Sequence, residues 1–348
     1  MKKISLYQFL FCLLWNCFYV HAFTCKEPFQ HRNQQPMAAI FLELTPLSAC
    51  TVDAGSYQVN SILQASNTIL VFPQGDLPDA QIILDHERYE QTVSFRAGLD
   101  AKTDLGLVLR YANEGPGNLD KILFRYHKFT GLPFDARQTH HHTGYHYRLY
   151  NQNTDQIIET TAPQRGFGDV VIGIRQQLGT PVIFNFPILW SWRFEYKKAS
   201  HPELPTISSG NSDAGLGLMS SVSGTLFTHP VEFWLNIGAV RTGKTRHSVY
   251  PQKPVFLSGA SGMLAEITEK WTAAVQILSA YARFEVHEKV LGLNHRQTIL
   301  VFGLRHRTNS NRLSMGFTEG LDYYASVSYT HLRAHETSLH LVCRLLLE

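Results

Sequence analysis

Thr92-Val93-Ser94-Phe95-Arg96-Ala97-Gly98-Leu99-Asp100, then Ala101-Lys102-Thr103-Asp104, then Leu105-Gly106-Leu107-Val108-Leu109-Arg110-Tyr111, is the stretch that decides the fold. Side chains of a β-strand point to alternate faces with period two. Val93, Phe95, Ala97 and Leu99 therefore share one face, and Ser94, Arg96, Gly98 and Asp100 the other. After the polar turn the rhythm resumes with Leu105, Leu107, Leu109 and Tyr111, which predicts an antiparallel hairpin with one apolar face. Arg on a lipid-facing mid-depth position costs roughly 2 to 4 kcal/mol, so Arg96 and Arg110 are expected to face inward if the hairpin spans a bilayer.

The same rhythm recurs along the chain. Strand-like segments are read at 57–65, 80–89, 92–99, 105–111, 146–150, 170–178, 182–196, 216–225, 231–240, 255–266, 272–278, 298–306, 313–318 and 323–327, separated by Gly, Pro, Asn and Asp punctuators. The fold class expected is all-β: a transmembrane up-and-down antiparallel β-barrel, on the order of 12 strands at roughly 25 residues per strand and loop. One segment departs from it. Between Asn118 and Phe129 the residues Leu119, Ile122, Leu123, Tyr126 and Phe129 fall at helical spacing, with Asn118 as N-cap and Gly131 and Pro133 as terminators. It is expected to be a short amphipathic helix in a loop.

The N-terminus supplies an export signal: Met1-Lys2-Lys3, an apolar run from Ile4 to Val20, and the small-residue site Val20-His21-Ala22. The organisation expected is a signal peptide over 1–22, a strap or plug over 23–55, and a barrel over 56–327. Beyond the signal no apolar stretch approaches the roughly 20 residues of a membrane helix, so entry into a bilayer has to be as a closed barrel. Charged residues make up 17% of the chain and aromatic residues 12%, and the formal charge is +3 with no basic cluster, which argues against a nucleic-acid partner. Cys12 and Cys17 lie in the signal peptide and Cys343 in the C-terminal tail. That leaves Cys25 and Cys50 to form one disulfide in an oxidising compartment, with the pairing left open because sequence does not show whether their Cα atoms come close.

Several segments resemble the bacterial family of domain of unknown function 3187. They are Pro28-Phe29-Gln30-His31-Arg32-Asn33-Gln34-Gln35-Pro36 with Ile40-Phe41, then Phe129-Thr130-Gly131-Leu132-Pro133, Gly166-Phe167-Gly168-Asp169, and Gly210 to Gly215. The resemblance implies an outer-membrane barrel and brings no catalytic residues. From Ser328 to Glu348 the composition shifts and the alternation stops. That tail resembles translated sequencing-adapter read-through, and is set apart as foreign to the native chain.

Candidate chemistry is sparse. His140-His141-His142 with His146 is the one cluster of metal-ligand character; adjacent histidines splay apart in a strand, so a solvated loop is the better reading, with His140, His142 and His146 as weak candidates. Ser261 in Gly259-Ala260-Ser261-Gly262 lacks the Gly-x-Ser-x-Gly elbow of a hydrolase, so no catalytic set and no cofactor is assigned. Asp85 with Glu87, and Glu285 with Glu288, read as lumen or loop acids. The residues expected to line or plug a lumen are Arg32, Asn33, Gln34, Gln35, Arg96, Arg110 and Arg175, with Gln176 and Arg305 also inward; Trp190, Trp192, Trp234 and Trp271 suit interfacial girdles. The expected partners are the lipid bilayer, its outer-membrane lipids and the barrel assembly machinery. The expected function is a channel or transporter-like barrel for small or apolar molecules, or an envelope stabiliser. The alternatives are a soluble periplasmic all-β binding protein and an outer-membrane lipid hydrolase.

Overall fold

Alternating apolar and polar side chains favour extended backbone, and extended backbone has to be paired along both edges. The computed structural model meets both demands. It describes residues 25–72, 82–117, 119–130, 144–183, 186–201, 203–285, 296–308 and 311–321, and the backbone course of 18–20 and 327–336. Among them are eighteen strands, sixteen of which form one antiparallel sheet.

Twelve of these strands pair in a cycle. They are β2 (Tyr57–Phe72), β3 (Ile82–Gly98), β4 (Thr103–Gly115), β8 (Val170–Gly179), β11 (Leu189–Lys198), β12 (Asp213–Leu226), β13 (His229–Arg241), β14 (Val255–Glu266), β15 (Trp271–Ala280), β16 (Gln297–Arg307), β17 (Asn311–Gly320) and β18 (Val327–Glu336). Each pairs with the next in that order. β18 then pairs with β2. The four shortest connections share one end of the cycle and the four longest share the other. One end carries the short turns 99–102, 227–228, 267–270 and 308–310, and the other the long connections 116–169, 199–212, 242–254 and 281–296.

The remaining elements decorate this cycle. β1 (Phe18–Val20) pairs with Leu226 to Gly224 at the short-turn end, on the edge of β12 that β11 leaves free. β5 (His146–Asn151) extends the sheet from the far end of β3, and β6 (Gln156–Thr160) pairs with β5. β7 (Arg165–Phe167) continues the line of β8 along β4. β9 (Val182–Ile183) and β10 (Phe186–Pro187) form a separate two-stranded ribbon. Two helices are present among the described residues, α1 (Pro36–Ala39) and α2 (Asp120–Thr130). None of the described helices is long and apolar enough to cross a membrane.

Several sequence expectations are corrected. The two segments 80–89 and 92–99 are one strand, β3, because β2 offers an unbroken partner edge from Tyr57 to Phe72. The segment 182–196 is instead divided among β9, β10 and β11, and Pro187, which has no N–H to give to a ladder, ends β10 with one residue between it and β11. Asp104 belongs to β4 and not to the turn. Gln176 faces outward, where its Oε1 accepts from Trp192 Nε1 at 3.0 Å. Trp234 is buried with Leu278, Ile299 and Val301 on the inner face. Asn118, Gly131 and Pro133 lie outside the described residues. β18 lies mostly in the tail set apart as foreign, yet its backbone pairs with both β17 and β2. Ladder hydrogen bonds are made by peptide groups, so two open edges accept an extended segment whatever its side chains.

Candidate functional site: a filled interior

Parity carries from the sequence into the two faces of the cycle. Val93, Phe95, Leu99, Leu105 and Leu109 lie on the outer face and are 37% to 56% exposed, whereas Arg96 and Arg110 are 8% exposed on the inner face. The inner face does not enclose empty space. Residues 25–56 run through it, and nearly every side chain from Glu27 to Cys50 is buried.

The path of this segment can be traced by its partners. At the short-turn end, Lys26 pairs with Glu266 at 2.9 Å and its N–H donates to Glu232. The chain then rises: Gln276 of β15 accepts from Phe29 N–H at 2.7 Å and donates back to its carbonyl at 3.0 Å. Gln64 of β2 accepts from Gln34 Nε2 at 2.8 Å and contacts His31 Nδ1 at 3.0 Å. Asn33 donates to Gln297 at the start of β16, and Gln297 Nε2 donates to Gln35. α1 forms the apex, where Met37, Ile40, Phe41 and Leu42 join Val249, Tyr250, Phe256 and Phe284 in an apolar cluster at the long-loop end.

The chain then descends. Leu42 N–H donates to Asp213, Lys197 Nζ donates to the Ile40 carbonyl at 2.9 Å, and Arg193 donates to the Thr45 carbonyl at 2.6 Å. Asn236 holds Leu47 through both N–H and carbonyl, Ser221 accepts from Ala49 N–H, and Asp104 accepts from Val52 N–H at 3.0 Å. Inward glycines make room for it. A Cβ on Gly303 would stand 2.5 Å from the Phe29 ring, and one on Gly238 would stand 2.4 Å from Leu44.

A disulfide between Cys25 and Cys50, with Cα atoms 5.7 Å apart, clasps the rising and descending limbs at their base. Closing a loop of this length stabilises a fold by roughly 3 kcal/mol in the chain-entropy account. The double substitution Cys25→Ser, Cys50→Ser should lower stability by about that amount in denaturant titrations of the refolded protein. An unchanged midpoint would show that the limbs are held by the wall alone.

Buried charges concentrate in three groups. Glu90 on β3 pairs with Arg88 at 2.6 Å, Arg32 of the inner segment at 3.7 Å and Arg110 of β4 at 4.0 Å. Asp104 pairs with Arg175 at 2.6 Å and Arg96 at 3.1 Å, and Arg175 also reaches Glu27 at 3.4 Å and the Ser48 carbonyl at 2.8 Å. Lys197 lies 2.6 Å from Asp169 and 3.2 Å from Asp213. Arg32, Asn33, Gln34, Gln35, Arg96, Arg110 and Arg175 thus all sit inside, and Arg305 stacks on Phe29 at 5.2 Å while donating to the Glu27 carbonyl.

Sequence reasoning left out the acids that hold these cations. Glu90 has the parity of Arg96 and Asp104 that of Arg110, so extending the alternation by six residues would have found both. His140 and His142 lie outside the described residues. His146 pairs with Glu159 at 2.7 Å, and no cluster of metal-ligand type occurs among the described residues. Ser261 stands in β14 opposite Leu235 and Ile277.

An antiparallel sheet with an apolar outer face and a polar inner face is the build of outer-membrane barrels. The chain is similar in fold to the COG4313 outer membrane channel from Pseudomonas putida F1, with 10% identity, a TM-score of 0.51, and coverage of 85% of this chain and all of that one. It also matches the NanC porin at 8% identity and a TM-score of 0.43, covering 80% of this chain and all of the porin. Residues 10–330 match the family described as Protein of unknown function (DUF3187), and the chain belongs to that family. No curated protein matches it.

Proposed function

We propose that the protein is an outer-membrane channel: a closed twelve-stranded transmembrane barrel whose lumen is occupied by its own N-terminal segment. The observation that carries this reading is the coincidence of an apolar outer belt with a charged inner wall that is filled by residues 25–56 of the same chain. A soluble all-β binding protein would bury its apolar strand faces against each other. Here Leu105, Leu216, Ile237, Leu257 and Leu304 are exposed on the outer face.

Short turns at one end and long connections at the other support an orientation with the short turns in the periplasm and the long loops outside, as in bacterial barrels. Arg96, Arg110, Arg175, Arg193 and Arg305, interleaved with Glu90, Asp104 and Glu195, suit a route for small polar or charged solutes. An apolar cargo would have to strip water or partners from these groups at a cost of several kcal/mol per ion. In the resting state the segment substitutes for that water.

The test is location with transport. The mature protein should fractionate with the outer membrane, show heat-modifiable migration, and give brief, rare openings in planar bilayers. Recovery in the soluble periplasmic fraction overturns the reading.

A further inference from the structure

A trough opens on the outer face near the long-loop end, away from the filled interior, with a volume of about 720 Å³. That lies within the roughly 300 to 1,000 Å³ of ligand pockets. Strand register explains its shape. One row of outward partners runs Trp192, Leu218, Ile237, Gly259, Ser279 across β11 to β15. The neighbouring row runs Leu216, Ala239, Leu257, with Tyr281 bonded to Leu257 beyond it. Small residues at Ala239, Gly259 and Ser279 leave a floor, and Leu216, Ile237, Leu257 and Tyr281, each more than half exposed, form the rim.

The trough is apolar along its length and cationic at one end. Arg296 lines its mouth. Arg241, paired with Val255, stands on the same outer face two residues beyond Ala239, at the rim nearest the long loops. Both arginines are exposed, and among the described residues neither guanidinium has a carboxylate partner. An amphiphile with an acyl chain and an anionic head matches that layout: the chain fills the floor, and the forked guanidinium suits phosphate oxygens.

We infer that this trough is a binding site for a phosphorylated, acylated glycolipid of the outer leaflet, with one acyl chain over Ala239, Gly259 and Ser279 and its phosphorylated headgroup against Arg296 and Arg241 at the long-loop end. The assignment rests on the barrel reading above, because only a membrane-embedded outer face meets lipid, and the long-loop end selects the outer leaflet.

Native mass spectrometry of the full chain, refolded into detergent and offered lipid A, phosphatidylglycerol or phosphatidylcholine, tests it. The wild type should retain lipid A in preference to both phospholipids. Arg241→Gln with Arg296→Gln should weaken retention by about tenfold or more, the effect of losing a charge-assisted hydrogen bond. Gly259→Leu keeps both cations and fills the floor, where a Cβ meets nothing closer than 3.5 Å, and should weaken retention as well. Equal retention of phosphatidylglycerol, retention unaffected by the arginine pair, or no lipid adduct overturns the assignment. A chain that inserts into vesicles but carries no lipid overturns this inference alone, whereas one that does not insert overturns the barrel reading with it.

Discussion

Deletion of residues 26–52 should turn a closed barrel into a steadily conducting one. The segment is held by wall side chains from β2, β3, β4, β8, β11, β12, β13, β15 and β16, and its limbs are not paired to each other as a sheet. Its removal leaves every ladder of the strand cycle intact, so the barrel keeps its fold while water replaces the segment against Arg175, Arg193, Lys197 and Arg305. If only two of the hydrogen bonds to the wall, each worth roughly 1 to 1.5 kcal/mol, oppose opening, the open state holds about 1% of the population and time-averaged conductance should rise on the order of a hundredfold. Should the deletion fail to fold, Glu43→Gln offers a second arm. Glu43 accepts from Asn33 N–H at 3.1 Å and pairs with Arg283 at 3.4 Å, so its neutralisation loosens the apex and should raise open probability without removing any chain. Planar-bilayer currents no larger than wild type in both variants would show that the segment does not occlude the path.

How far such a design is legible in a sequence depends on what kind of order carries it. Face alternation is local: Val93 and Arg96 lie on opposite faces because of strand geometry alone, and no distant residue has to be known. Strand ends are less local. Asp104 reads as a turn residue beside Lys102 and Thr103, and becomes a wall residue only because β3 and β8 both pair with the start of β4. Gln176 and Trp234 fail for a related reason. Polarity or ring size suggests a face, but register sets it, and register depends on the neighbouring strand. The N-terminal motif from His31 to Gln35 announces hydrogen-bonding capacity without saying where it is spent; its partners Gln64, Glu90 and Gln297 lie 30, 56 and 264 residues away. The trough on the outer face is the least legible feature, since it arises from small residues on three strands that become neighbours only through pairing.

Asp104→Asn should be the most damaging single substitution of a wall residue. Asp104 is fully buried and accepts from Arg175 Nε at 3.1 Å, Arg175 Nη2 at 2.6 Å, Arg96 at 3.1 Å and Val52 N–H at 3.0 Å. Burying those guanidinium groups is tolerable because this carboxylate offsets their desolvation, and the amide offers neither the charge nor the second acceptor oxygen. Breaking such a buried pair costs about 3 to 5 kcal/mol, measurable as a lowered unfolding midpoint in lipid vesicles. Glu203→Gln, at an exposed pair with His201, serves as control and should leave the midpoint in place. Arg175→Met added to Asp104→Asn should cost less than its effect alone, because the first change already orphans Arg175, and the two sites share one network. Additive costs, or a midpoint no lower than that of the control, would mean that water within the lumen already serves these charges. The same substitution bears on gating. Arg175 holds the Ser48 carbonyl and Asp104 holds Val52 N–H, so a wall that loses this carboxylate also releases the descending limb, and instability and leak should rise together.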